Sequence, residues 1–536
     1  MEHSAMRHAR RRLQFILAAV LIGAPTVSVF AQSGQSIRSS PTSAVQAPSP
    51  ARRLSVDEAV KLALAQNLGI QIERFNPQIQ DVAIAQARSL WAPTLTSDLA
   101  NTSRDNAVTN AFAGGQNKVT TSVFSTAFGV AQLLPTGANY SLSWDNQRQT
   151  STNFFNTFDP QLFSTLTFNA TQPLMRNFKI DNARQQLDTN TKNREASDLQ
   201  LQSTVVATTR NVKNAYWDLA YQIANLNAAQ QSLDLAKRVL GDNEKRVQIG
   251  TMAPIDIVEA QSEVARNEES VIVAEAAIKR AEDNLRALIF DPASPDFWTT
   301  SIEPSDTAPF QAQAVDAQAA VQRALENRLD LKQSRNGLER NDISIQYLRN
   351  QILPEINANL SYGMTGVGGV RYSQDLSAIT TGGIPTRQLL SSRGFGSVLG
   401  DVFGNDLPTW TLGVTIGYPI GTSTSEANLA RARLEYSQAQ TRMKNLEMQI
   451  ATEVRDLARQ VQTNQKRVDT TRVARELAER RLEAAEKKFA AGIETSFFVF
   501  QAQRDLSQAR TNEVRAISDY NKSLVDFEAV QEAPLR

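Results

Sequence analysis

The chain is written twice. Leu64, Leu68, Ile70, Pro93, Leu95 and Leu99 recur as Leu325, Leu329, Leu331, Pro354, Ile356 and Leu360, each displaced by 261 positions. A duplication this long calls for an architecture with internal pseudo-symmetry, so each local signal has to be read in both copies. Both copies run in one order: a short amphipathic helix, a helix ending at Pro93 or Pro354, an alternating β region closing at Gln172-Pro173-Leu174 or Tyr418-Pro419-Ile420, and a long helical hairpin. These signals bound a first repeat over 54–290, with strands in 93–174 and a hairpin in 180–290. A second repeat covers 315–530, with helices in 315–352, strands in 354–420 and a hairpin in 424–530. The segment 291–314 between them holds four prolines and reads as an irregular linker.

Two hydrophobic periods divide each copy. Trp410, Leu412, Val414, Ile416 and Tyr418 alternate with Thr411, Gly413, Thr415 and Gly417, and the same two-residue period runs through Tyr140 to Asp145, Thr165 to Thr171 and Ile356 to Tyr362. The helical segments instead carry seven-residue seams. Val205, Val212, Leu219, Leu226, Leu233, Leu240 and Val247 form one, Ile257, Val264, Val271, Ile278 and Leu285 its partner after a turn at Gly250. Copy two repeats this with Val454, Val461, Val468, Leu482 and Phe489 before a turn at Gly492, and Arg475 interrupts the seam. The spacing from Asp218 to Gly250 is four residues shorter than from Asp456 to Gly492, which predicts hairpins differing by about one helical turn.

The ends and the composition narrow the setting. Four arginines at positions 7 and 10–12 precede the apolar run 15–24, and Val29-Phe30-Ala31 offers a cleavage site, so 1–31 reads as a signal peptide. Residues 32–53 are rich in Ser, Pro and Gln and read as a disordered leader. Losing four arginines and Glu2 with the signal takes the net charge from +1 to about −2, and no basic excess favours nucleic acid. The chain has no cysteine, and its two histidines, His3 and His8, lie in the signal. The commonest metal ligands and nucleophile-base pairs are thus missing, so no enzyme, metal site or cofactor is expected. Gly394 to Gly400 superficially resembles a dinucleotide loop, but its spacing is one residue too long and no strand-to-helix frame surrounds it.

Alternation alone fits a soluble sandwich as well as a lipid-facing barrel. No later stretch approaches the run of about 18 apolar residues that a spanning helix needs, so membrane entry would require strands closed into a barrel. Export, strands of about ten residues and aromatic strand ends favour that barrel. One chain supplies four to six candidate strands and a closed barrel needs about eight, so several chains must share it. The alternative is a periplasmic coiled-coil structural protein with a soluble β domain.

The duplication, the helix-to-strand prolines, Gln172-Pro173-Leu174-Met175-Arg176 and the tip sequences after Gly250 and Gly492 together resemble the outer membrane efflux protein family, best known from TolC. The resemblance covers nearly the whole mature chain. It implies a mixed α and β membrane protein, an internally duplicated chain in which long antiparallel coiled-coil hairpins form a periplasmic α-barrel. A transmembrane β-barrel would be shared by a homotrimer in outer-membrane lipid. The implied function is the exit duct of a tripartite efflux pump or type I secretion system, passive, joined to a periplasmic adaptor and through it to an inner-membrane pump. In the family, acids near the hairpin tips ring the periplasmic entrance, which makes Asp256 and Glu259 gate candidates. Phe498 and Gln501 hold the matching places in copy two, and Phe497, Phe498 and Phe500 would add an apolar constriction. Capping and hairpin packing are the competing roles for these acids and aromatics. Gly250, Thr251, Gly492 and Ile493 are the expected adaptor-docking residues.

One departure from the family's two strands per half is a further strand pair near Val123–Gln132 and Ala138–Gln147. If it inserts, three chains would close about 18 strands instead of about 12. Insertion is favoured because Tyr140, Leu142 and Trp144 would otherwise expose an apolar face. Segments 104–117 and 363–406 read as long extracellular loops.

Overall fold

The computed structural model describes residues 52–108, 117–306, 310–375, 386–421 and 423–531. The signal peptide, most of the leader, and the central parts of both expected long loops lie outside these residues. Arg52 and Arg53, inside the segment expected to be a leader, are already in a strand: β1 (Arg52–Leu54) pairs in parallel with β6 (Ile302–Pro304). The linker between the repeats is therefore partly built into a two-stranded sheet. A two-residue period cannot be read from three residues, which is why the sequence did not show it.

The short helices match between copies. In α1 (Val56–Gln66), Ser55 and Glu58 form a reciprocal capping box; in α5 (Ala317–Asn327), Asp316 accepts from Gln318 and Ala319. Each leads into a longer helix, α2 (Leu68–Ser89) or α6 (Leu329–Gln351), which stops ahead of Pro93 or Pro354.

Among the described residues, seven strand segments then form one antiparallel sheet. They are β2 (Thr94–Ala107), β3 (Lys118–Leu133), β4 (Asn139–Ser151), β5 (Phe158–Pro173), β7 (Glu355–Asp375), β8 (Thr386–Arg393) and β9 (Pro408–Gly417), paired in the order β2-β3-β4-β5-β7. Both β8 and β9 pair with β7. Since β5 occupies one edge of β7 over residues 357–371, β8 and β9 must lie end to end along the other. The sheet is thus six strands wide, and the extra hairpin β3–β4 sits inside it, between β2 and β5. Gly137, at φ +83°, closes its turn against the start of the next helix, where a Cβ would press on the Asn177 carbonyl.

The register sorts the two faces. Leu95, Val130, Leu142, Phe168, Tyr362 and Trp410 are opposite one another in succession across all six strands. The adjacent row, Thr96, Gly129, Ser143, Thr167, Gly363 and Thr409, is small or polar. One face is therefore an apolar band, and Leu95, Leu412 and Trp410 stand about 70% or more exposed on it in the single chain. Residues 104–107 and 363–375 prove to be strand, so the expected loops are shorter than the sequence suggested.

The sheet runs into two hairpins. The first is α3 (Asn182–Gln248) with α4 (Ile255–Ile289), and the second, which follows α7 (Phe395–Gly404) and β9, is α8 (Thr424–Ala490) with α9 (Ser496–Val530). The descending helices both have 67 residues and the returning helices both 35, so the expected one-turn difference is absent. Asp218 and Asp456 are simply not equivalent; the copies are displaced by 242 positions here, not 261. At about 1.5 Å per residue each descending helix is about 100 Å long. The seam residues Val212, Leu219 and Leu285 are fully buried with Ile289 and Ala59, and Val454, Val461 and Val468 with Val321 and Tyr520. Among the described residues no helix is long and apolar enough to cross a membrane.

Candidate functional site

Both hairpins turn by the same device. At each tip the glycine takes a left-handed conformation, φ +77° at Gly250 and +75° at Gly492. Gly250 N–H donates to the Val247 carbonyl and Thr251 N–H to that of Arg246; Gly492 and Ile493 repeat the pair on Phe489 and Lys488. This is a Schellman closure, which satisfies carbonyls the helix end would leave orphaned. A Cβ on either glycine would meet only open space, so the need for glycine is conformational and not a matter of close approach.

The returning helices start differently. Asp256 lies in the first turn of α4, where Pro254 supplies no side-chain cap, and its carboxylate complements the helix N-terminus. Ser496 Oγ stands 3.5 Å from Asp256 Oδ1, which brings the two tips into contact. Glu259 is exposed one turn on. In α9, Phe497 and Phe498 form an edge-on pair with centroids 5.7 Å apart, each about half exposed. Phe500 is buried and packs within the bundle, the competing role that the sequence left open for it. Gln501 is already engaged: its amide donates to Asp505 and its carbonyl accepts from Arg504.

A second set of contacts, which no sequence period marks, joins the hairpins behind the tips. Arg504 on α9 reaches Glu263 on α4 at 3.1 Å, and Glu263 is almost fully buried, with Arg266 as its other partner at 3.4 Å. Arg246 on α3 stacks over the Phe489 ring at 4.4 Å. Further up, Arg475 meets Glu513 at 2.6 Å and Glu479 at 2.9 Å. Burial raises the Glu479 carboxyl, but bonds from Arg475 and Arg510 outweigh it and hold the group below its ordinary range. The one charge that breaks the seam thus sits among carboxylates. Its interruption of the heptads was the only sequence sign of the network.

The two repeats also meet face to face within the chain. Strand β5 pairs β7, while α3 packs on both α6 and α9, with Lys192 to Glu339 at 2.8 Å and Arg340 to Asn193 at 2.9 Å. Among the described residues nothing covers the outer flanks in this way. On one side lie the free edge of β2 and the stripe Ile72, Phe75, Ile79 and Val82 of α2, all at least 59% exposed. On the other lie the free edge of β9 and Leu434, Met448 and Leu477 of α8. Among the described residues no group of metal-ligating side chains occurs.

Comparison with known proteins agrees with this geometry. The model of the family described as outer membrane efflux protein matches residues 59–289 and 320–530, one match per repeat. A search of curated proteins finds no sequence match. Among solved structures, VceC of Vibrio cholerae is similar over 90% of this chain and 97% of its own, at 16% identity and a TM-score of 0.62. The CmeC outer membrane channel of Campylobacter jejuni follows at 15% identity, covering 89% of this chain and 85% of its own, TM-score 0.60. The open state of the Neisseria gonorrhoeae MtrE outer membrane channel gives 15%, 89%, 88% and 0.59.

Proposed function

The chain belongs to the outer membrane efflux protein family, and from that premise we propose how three copies of it build and close their conduit. It is an outer-membrane efflux channel with a periplasmic extension, a transport protein and not an enzyme. Channels of this family form trimers and pair with efflux pumps.

The observation that carries the reading is that the interface between the repeats has a vacant counterpart at the outer flanks. Within the chain, the first repeat's β5 and α3 meet the second repeat's β7, α6 and α9. The equivalents of the first set are β9 and α8; those of the second are β2, α2 and α4, the uncovered flanks. A head-to-tail contact repeats the same joint between chains and closes a ring of six near-equivalent units. Carrying the pair Ala170–Leu360 across by the local displacements sets Ile416 opposite Leu99 of the next chain, both on the apolar face. Carrying Asn193–Arg340 across sets Glu435 beside Ile79, which brings Leu434 onto the apolar stripe of α2.

With six strands per chain the closed barrel has about 18. Taking strands about 4.8 Å apart and tilted about 40°, its backbone diameter is about 36 Å, against about 24 Å for twelve. The polar row then lines the lumen. At the periplasmic end, Asp256 and Glu259 from three chains form a ring of about six carboxylates that favours cations and opposes close approach. Phe497 and Phe498 of the second hairpins narrow the same entrance with apolar surface. The tip turns at Gly250-Thr251 and Gly492-Ile493 project beyond the helices and offer the docking surface for the helical hairpin of a periplasmic adaptor, which couples the passive duct to an inner-membrane pump.

Because the chain has no cysteine, the joint is testable without background. Leu99→Cys with Ile416→Cys should give a covalent trimer on oxidation, while Leu99→Cys with Val414→Cys, out of register, should not. Cross-linking by the second pair alone would contradict the proposed joint.

A further inference from the structure

The seam between β8 and β9 holds a feature that the conduit does not use. β8 leaves β7 at Arg393 opposite Gly369, and β9 resumes at Pro408 opposite Met364; the chain between them leaves the sheet and forms α7. This helix lies on the apolar face. Gly366 and Gly368 continue the row of Leu360, Tyr362 and Met364, and a Cβ on Gly366 would overlap the Val398 carbonyl, one on Gly368 the Val398 side chain. The two glycines are thus the seat of the helix. Tyr362, also in that row, donates from its hydroxyl to Asn405 at the helix end, 2.9 Å away. Val398 and Val402, on the inner side of α7, are fully buried, as is Ser164 on β5.

Its outward side is apolar. Phe403 is 68% exposed, and Leu407 and Phe395 are also open. The one charge between Gly394 and Asn405, Asp401, is buried and bonded to Arg393 at 2.5 Å. Arg393 also donates to the Val367 carbonyl, which the gap between β8 and β9 deprives of a strand partner. Such satisfaction is what a membrane setting demands of backbone and charge.

Height identifies what covers this surface. From Ile356 to Gly366 the apolar row climbs about 33 Å along the strand, or about 25 Å vertically at a tilt of about 40°, the usual height of a barrel's lipid-facing band. The helix therefore sits at the outer rim of that band and continues it sideways. Resting on the barrel reading above, we propose that α7 is a lipid-embedded flange, seated on the outside of the barrel by Gly366 and Gly368, whose Phe395 and Phe403, with Leu407 just past its end, contact acyl chains of the outer leaflet. An exposed face of this kind in water would be an association hazard; in continuity with the band it widens the barrel's grip on the membrane.

The test uses single cysteines, spin-labelled in the trimer reconstituted in phospholipid vesicles, with collision by oxygen and by a water-soluble nickel chelate as readouts. Leu412→Cys reports the lipid face, Thr411→Cys the lumen, and Phe403→Cys and Phe395→Cys the helix. The expected result is that the labels at 403 and 395 group with 412, open to oxygen and shielded from the chelate. Chelate access at 403 and 395 equal to that at 411, with 412 still shielded, overturns the flange and leaves the barrel standing. Chelate access at 412 overturns the barrel reading and the flange with it. Dipolar broadening at 403 that grows with protein-to-lipid ratio would assign the surface to contact between trimers and overturn lipid as its occupant.

Discussion

Arg504→Ala is the change that should most directly loosen the entrance. The side chain spans from the second hairpin to the first and ends 3.1 Å from Glu263, whose carboxylate is only 7% exposed. With Arg504 gone, Glu263 keeps Arg266 at 3.4 Å, but that guanidinium is 60% exposed and bound within the same helix, so it cannot hold the hairpins together. Leaving a buried carboxylate with no partner costs about 3–5 kcal/mol, and a single hydrogen bond to a charged group is worth about 1.5–3. Since one partner survives, the loss should fall near 2 kcal/mol, or roughly a thirtyfold shift toward separated hairpins. Single-channel recording in planar bilayers should show more frequent or larger openings, with the trimer intact in mild detergent. Glu263→Gln should reproduce part of the effect, and the double variant should cost less than the two singles summed. Unchanged conductance and unchanged melting in Arg504→Ala would refute the claim that this pair restrains the tips.

Three further outcomes follow from the same geometry. Asp256→Ala combined with Glu259→Ala should raise conductance and weaken cation preference; unaltered values for both would remove these acids from the gate. Gly250→Ala and Gly492→Ala force a side chain into a left-handed turn at a cost of about 1–2 kcal/mol each. They should impair transport in cells while trimers still assemble, and retained transport would count against docking at the tips. Glu528 is raised by burial, against the attraction of Lys213 at 4.0 Å, so its contribution to stability is greatest at low pH and is lost as pH rises through the raised value. Glu528→Gln should therefore melt higher than the parent at pH 7, a gap that closes below about pH 4; a gap independent of pH would refute the assignment.

Much of this was legible because the two periods are long and occur twice. A seam of seven valines and leucines specifies a helix and its partner without help from distant residues, and Trp410 to Tyr418 specifies which side of a strand is apolar. The tip glycines were found by order alone, and the structure supplied their left-handed backbone. What escaped depends on residues brought together from far along the chain. Arg504 and Glu263 lie 241 positions apart in sequence, and neither breaks a pattern. β1 and β6 are too short to carry a period. Residues 363–375 read as loop in the sequence because their glycines, normally a sign of turns, serve in β7 as the floor for α7. Gly366 and Gly368 could be recognised only once Val398 stood above them.

If β3 and β4 belong to the barrel wall and three chains share it, every chain adds six strands to one closed sheet. A cryo-EM map of the trimer in lipid nanodiscs counts the strands directly. About 18 are expected, with Leu99 of one chain beside Ile416 of the next. Twelve strands, with the hairpin bearing Tyr140, Leu142 and Trp144 packed outside the wall, would contradict it.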